Sequence, residues 1–193
     1  MSIVKTVAAV ALAATLSVSP FLSFTGVNSS IASAQQVSNF HSDDFYAPTP
    51  IIPGKVTPKA PGNPVVNINL SEVTKNDDFV VLSDVYYQFT GLGADNSISS
   101  KGSVKTTKKS DIYITLTQWS PSSIYSPQVK YTLRNKDSGK ETDPVPVNGS
   151  YTNENKTIGW TRVLPGDYQI VIYNVGKHEL AGNGFANAYY NYD

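Results

Sequence analysis

Aromatic side chains are the richest chemical resource of this chain, which carries twelve Tyr, seven Phe and two Trp among 193 residues. Trp119 leads into Ser120-Pro121-Ser122-Ser123-Ile124-Tyr125, and Trp160 sits in Gly159-Trp160-Thr161, close to the polar stretch Tyr151–Asn155. Aromatic faces on loops stack on sugar rings while neighbouring Asn, Asp and Ser bond the hydroxyls. A large apolar body with a polar handle suits such a wet interface. Trp119, Tyr125, Tyr151 and Trp160 are therefore the candidate ligand-binding platform. The competing role for both tryptophans is to fill the core.

Other chemistries find little support. A Ser-His-Asp triad needs a base beside its nucleophile. His41 lies in a proline-rich leader and His178 in a turn after Gly176-Lys177, and no G-x-S-x-G elbow is present. Glycoside hydrolysis needs two carboxylates facing one cleft. Asp43-Asp44 and Asp77-Asp78 are adjacent, and adjacent strand residues point to opposite faces. Zinc is disfavoured by two distant histidines and no cysteine. A structural calcium ion remains a candidate, because loop oxygens suffice. Asp77 and Asp78, with Asn76, form one cluster, and Asp95 with Asn96 another. Neither has EF-hand spacing, and turn chemistry accounts for both. The chain is expected not to be an enzyme and to need no cofactor beyond such an ion.

The elements that must position these residues read as β. Ile112, Ile114 and Leu116 alternate with Tyr113, Thr115 and Thr117, and Val129, Tyr131 and Leu133 with Lys130, Thr132 and Arg134. Period two marks half-buried strands. Phe79–Thr90 places Val85, Tyr87 and Phe89 on one face. Tyr168–Val175 is apolar on both faces and predicts a strand covered on both sides. Gly184–Tyr192 predicts a last strand, and Val65–Leu70, Ser103–Thr107 and Lys156–Leu164 are weaker matches. Turn residues at Gly91-Leu92-Gly93, Asp95-Asn96, Asn148-Gly149, Pro165-Gly166-Asp167 and Gly182-Asn183-Gly184 punctuate these runs. Short strands with regular turns predict a single antiparallel β-sandwich or jelly roll over 65–193.

Leu164-Pro165-Gly166-Asp167-Tyr168-Gln169-Ile170-Val171-Ile172-Tyr173-Asn174 resembles the turn-Gly strand of small extracellular bacterial sandwich modules, the pre-peptidase C-terminal domains and related jelly-roll accessory domains. Asp111–Thr117 and Val129–Arg134 precede it at compatible spacing. The resemblance covers about residues 80–190 and implies a β-sandwich acting as a non-catalytic accessory module of a secreted bacterial protein.

Upstream, residues 47–64 hold six prolines in 18 positions. Proline fixes φ and removes a backbone donor, so this stretch is excluded from helix and central strand. It is expected to be an extended or disordered polyproline spacer. Residues 35–64 thus form a leader, polar and then Pro-rich, carrying Phe40, Phe45 and Tyr46. Residues 1–34 read as a secretory signal peptide: Lys5, an apolar run from Val7 to Val18, and Ala32-Ser33-Ala34 before a cut between Ala34 and Gln35. The apolar run is shorter than the roughly 20 residues of a membrane span.

Export without cysteine means stability must come from packing, a bound ion or assembly. Lys5 is the only charge in the signal segment, and the remaining 14 basic and 15 acidic residues leave a net charge of about −1, so no nucleic-acid footprint and no membrane insertion after cleavage are expected. The expected role is a secreted, extracellular or surface-associated protein that binds a cell-surface or matrix component, either polysaccharide or protein. One alternative is a structural subunit that forms a homo-oligomer by strand addition through the leader or the aromatic C-terminal strand. Another is a secreted toxin or an unfamiliar enzyme.

Overall fold

The alternation of apolar and polar residues resolves into eleven strands in a computed structural model, which describes residues 40–69 and 80–190. In chain order they are β1 Thr49–Pro50, β2 Asn63–Val66, β3 Val80–Leu92, β4 Asn96–Ser99, β5 Val104–Thr106 and β6 Ser110–Trp119. Then come β7 Gln128–Asn135, β8 Val145–Asn148, β9 Tyr151–Val163, β10 Gly166–Asn174 and β11 Leu180–Tyr190. The described residues contain no helix, so none is long and apolar enough to cross a membrane. The signal segment, the Ala34/Gln35 cleavage and the calcium candidates Asp77 and Asp78 lie outside the described residues.

The strands form two antiparallel sheets. One is six-stranded, in the order β1-β4-β10-β7-β8, with β5 also pairing β10. The other is five-stranded, in the order β2-β9-β6-β11-β3. Period-two alternation sends Ile112, Ile114 and Leu116 of β6 inward, against Tyr131 and Leu133 of β7 and Ile170 and Ile172 of β10, in one core shared by both sheets. Gln118 is the polar tie between them. Its Nε2 donates to the carbonyls of Val147 (3.1 Å) and Gly149 (2.9 Å), and its Oε1 accepts from the Tyr131 hydroxyl at 3.0 Å. A buried amide with both ends bonded adds specificity of register at little cost.

The leader is extended, and its described part belongs to the sandwich. His41 exchanges backbone hydrogen bonds with Thr90 on β3, and Tyr46 donates to Ser99 at the end of β4. Asp44 accepts the Gln88 N–H at 2.9 Å, and Ser42 donates its hydroxyl to the Gln88 carbonyl. Residues 41–46 thus close the gap between an edge of each sheet, covering backbone groups that would otherwise be an open template. Phe45 sits in the core with its ring edge-on to Tyr87 and Phe89. Further on, Pro58 and Ala60 pair with Glu141, and Asn63–Val66 adds a strand beside β9. This corrects the expected domain start at 65: the ordered sandwich reaches back to Phe40. Proline is tolerated there because β1 and β2 are edge strands, where a missing donor faces no partner.

On the six-stranded sheet, Thr132, Gln169 and Val171 are buried as well as the inward residues. Glu141 is buried beside them and accepts from Thr132 Oγ1 (2.9 Å), Tyr173 Oη (2.7 Å) and Arg134 Nε (2.8 Å). The Arg134 Nη2 reaches the same carboxylate oxygen, Oε1, at 2.6 Å, while Thr132 and Tyr173 share Oε2. An ion pair on one carboxylate oxygen with two hydroxyl donors on the other satisfies the charge, which is the condition for burying it.

Burial, reinforced by its bond to Glu141 and that carboxylate's charge, pushes the Tyr173 hydroxyl up to about 12. Burial also raises Tyr87, Tyr131, Tyr113 and Tyr168. An unfolded tyrosine ionises near 10. Stability from these neutral phenols is therefore complete below about pH 10 and is lost as pH rises through the folded values. Urea midpoints should be level between about pH 8 and 9.5 and fall progressively between about pH 10 and 12, less steeply in Tyr173→Phe. A midpoint that holds through that window would contradict the assignment.

Candidate functional site

The four platform residues read from the sequence do not meet on one surface. Trp160 is 0% exposed and lies in the core, where its indole N–H donates to the Asp143 carbonyl at 2.7 Å. Its apolar body is enclosed and its one polar atom is satisfied, so it offers no face to a ligand. Tyr151 opposes the inward-facing Gln118 in register and packs against the core from the end of the sandwich. Its hydroxyl bonds the Asn148 carbonyl, and Lys156 Nζ lies 5.7 Å from its ring centre. Trp119 follows Gln118 and so faces the opposite, outer side of the five-stranded sheet, half-buried. Tyr125, in the loop after β6, stacks on His178 with ring centres 3.2 Å apart and planes 12° apart. Asp95 is exposed, with φ 53°. Among the described residues no group of three His, Cys, Asp or Glu side chains could hold a metal ion.

A different surface gathers aromatics with hydrogen-bonding groups: the outer face of the five-stranded sheet. Val85, Tyr87 and Phe89 of β3 pack inward, so Tyr86 and Gln88 face out. On β11, Ala186 and Ala188 belong to the core, so Asn183, Phe185 and Asn187 face out. On β6 the outward set is Tyr113, Thr115, Thr117 and Trp119.

Register brings these side chains into rows. Tyr86 opposes Phe185, Phe185 opposes Thr115, and Thr115 opposes Thr157 of β9. In the next row Gln88 opposes Asn183, which opposes Thr117. Tyr86 and Phe185 are 63% and 40% exposed. Trp119 stands at one end of the face, and Tyr113 packs against Tyr189 at the other, with ring centres 5.7 Å apart. Trp119 lies six positions along β6 from Tyr113, about 20 Å of strand.

The polar groups on this face are partly pre-bonded. Thr117 Oγ1 donates to Asn183 Oδ1 at 2.8 Å, which leaves the Asn183 amide nitrogen as a donor oriented by its neighbour. Thr115 and Thr157 share a hydroxyl–hydroxyl bond of 3.0 Å. Asn187 Nδ2 donates to the Tyr189 hydroxyl at 3.1 Å. Tyr113 lies over Gly159, where an added Cβ would come within 2.3 Å of its ring. The face is therefore flat and fixed rather than a mobile loop surface.

Sequence reasoning missed this face because β11 inverts the usual pattern. Its small residues are inside and its large ones outside. The reason is Tyr87: a Cβ at Gly184 would lie 2.7 Å from the Tyr87 hydroxyl and 2.5 Å from the Thr115 carbonyl oxygen. A bulky inward residue is excluded there, so the strand's aromatic bulk goes to the solvent side. The available signal was the Gly-Phe-Ala-Asn-Ala alternation of residues 184–188, set against the Tyr-Tyr-Gln-Phe of β3.

No family model and no curated protein matches the chain. Among solved structures, it aligns with a family 11 carbohydrate-binding module of the cellulosomal cellulase Lic26A-Cel5E of Clostridium thermocellum. The alignment has a TM-score of 0.29 and 10% identity, and covers 78% of this chain and 94% of that one.

Proposed function

We propose that this chain is an exported, non-catalytic β-sandwich that binds a cell-surface or matrix polysaccharide across the outer face of its five-stranded sheet. The observation that carries the reading is the exposed, register-paired couple Tyr86 and Phe185, bordered by amides and hydroxyls. Aromatic surface left open on a sheet marks a place that something covers. Ring faces suit the C–H faces of sugars. Gln88, Asn183 and Thr117 offer donors and acceptors to sugar hydroxyls. An apolar protein partner would leave those groups desolvated and unpaired, at about 1–3 kcal/mol each.

The test is retention on insoluble polysaccharides and affinity electrophoresis on dissolved ones. Tyr86→Ala and Phe185→Ala should each weaken retention about tenfold, the loss of a stacked ring worth about 1.4 kcal/mol. The unfolding midpoint should stay close to wild type in Tyr86→Ala, whose ring is mostly exposed, and fall modestly in Phe185→Ala, whose ring is 40% exposed. Trp119→Ala, at the end of the face, should weaken retention less. Wild-type retention that both ring-to-Ala variants keep in full would rule this face out.

A further inference from the structure

The leader is joined to its own sandwich by two anchored stretches with a turn between them. Residues 41–50 form the first anchor. His41 and Thr90 exchange backbone hydrogen bonds, Tyr46 donates to the Ser99 carbonyl, and Lys101 donates to the Asp44 carbonyl. Thr49–Pro50 pairs with Ser97 and Asn96 of β4. Phe45 enters the core between the β3 and β4 edges, edge-on to Tyr87 and Phe89. Residues 58–66 form the second anchor. Glu141 donates to the Pro58 carbonyl and Ala60 to the Glu141 carbonyl. Lys59 Nζ meets Asp143 at 2.6 Å, and Asn63–Val66 pairs with β9.

The turn between the anchors is exposed. Ile52 and Val56 are 61% and 88% exposed, and the Lys55 N–H reaches the Ile52 carbonyl at 3.2 Å. Pro53 followed by Gly54 at φ 77° is the signature of a type II turn. A Cβ at Gly54 would meet no atom within 4 Å. This turn directs the first anchor back onto its own sandwich. Opened, residues 51–57 span up to about 23 Å, enough to carry the first anchor away while the second stays in place.

We infer that residues 41–50 are an exchangeable donor strand, and that the partner fitting the groove between β3 and β4 is the same segment of a second copy. The groove is complementary to this sequence: it takes the Phe45 ring and pairs with the backbone on either side of it. A second copy carries the identical segment, so exchange reproduces these contacts and gives up only the closed turn. What opposes exchange is the high effective concentration of a strand tethered to its own groove. An opened copy exposes Phe45 on one side, and Tyr87, Phe89 and the β3 edge on the other, which two opened copies cover reciprocally. Each copy keeps its own Tyr86 and Phe185, so the exchanged pair carries two candidate faces. The donor-strand assignment stands independently of what those faces bind.

The test exploits a chain with no cysteine. His41 and Thr90 form an antiparallel hydrogen-bonded pair, about 5.5 Å between Cα atoms, a separation that a disulfide spans. Full chains carrying either His41→Cys or Thr90→Cys are refolded together from urea at high concentration and oxidised. Disulfide-linked dimers are then identified by mass. A chain carrying both substitutions, which closes the bond within one molecule, is the reference for geometry. The expected result is a mixed dimer in excess over the two same-variant dimers, rising at least about tenfold when Gly54→Val is added to both chains. Valine at positive φ strains only the closed turn, and exchange relieves that strain in both copies. A mixed dimer no more abundant than the same-variant dimers, while the doubly substituted chain oxidises internally, overturns the inference. So does a mixed dimer that Gly54→Val leaves unchanged.

Discussion

Phe45→Ala should destabilise the protein by about 3–5 kcal/mol, the cost of deleting a buried phenyl ring without full collapse of the site. The ring is 2% exposed and makes edge-on contacts with Tyr87 at 5.6 Å and Phe89 at 5.5 Å between ring centres. Its removal also unseats the backbone around it. The pairings of His41 with Thr90, of Lys101 with Asp44 and of Tyr46 with Ser99 hold residues 41–46 between the two sheets, and only Phe45 anchors that segment deeply. The variant should therefore show a lowered urea midpoint and new protease cleavage near the Ile52-Pro53-Gly54-Lys55 turn. Tyr46→Ala, which removes a 53% exposed ring from the same segment, should shift stability by less than about 0.5 kcal/mol. If both substitutions are equally mild, the leader is a detached spacer and the assignment of Phe45 to the core is wrong.

Trp160→Ala should cost a similar amount, about 3–5 kcal/mol, a large part of the 5–15 kcal/mol that holds a typical domain together. The side chain is completely buried. It ties β9 to the Asp143 carbonyl in the chain between β7 and β8. Trp160→Phe keeps most of the apolar volume but orphans that carbonyl, for a smaller loss of about 1–3 kcal/mol. Polysaccharide retention per folded molecule should remain at wild-type level in Trp160→Phe, measured well below its unfolding midpoint. Trp119→Ala should reverse the pattern, with little loss of stability and a measurable loss of retention. Should Trp160→Phe abolish retention while the fold stays intact, the indole touches ligand and its burial has been misassigned.

The two tryptophans show how far a sequence can be read. Both precede or follow turn-like residues, and both looked equally suited to a loop platform. Their fates diverge through parity. Trp119 is one residue past the inward Gln118, and Trp160 is two past the inward Ile158. Period two was available from the sequence for β6, where the Ile112-Ile114-Leu116 alternation is clean. It was obscured in β9 by the bulge between Trp160 and Val163, where Arg162 takes φ 59° and its N–H bonds Asp111. The short β1, β4 and β8 were invisible for another reason: two to four residues cannot display a period. They are strands only because longer neighbours supply hydrogen-bonding edges.

By itself the sequence determined that the chain is all-β and antiparallel. It set which residues of β6, β7 and β10 alternate, and it ruled out thiol chemistry. Those properties are local: they depend on residue type and on a repeat of two along one strand. Which strand face is covered is not local. Each alternating strand has two faces, and burial belongs to whichever faces the other sheet or the returning leader. Only the tertiary structure decided that Phe45 closes the core, that Trp160 is enclosed, and that Glu141 seals the outer side of one sheet. Likewise it left Tyr86 and Phe185 in solvent on the other, because Tyr87 needed the space that Gly184 provides.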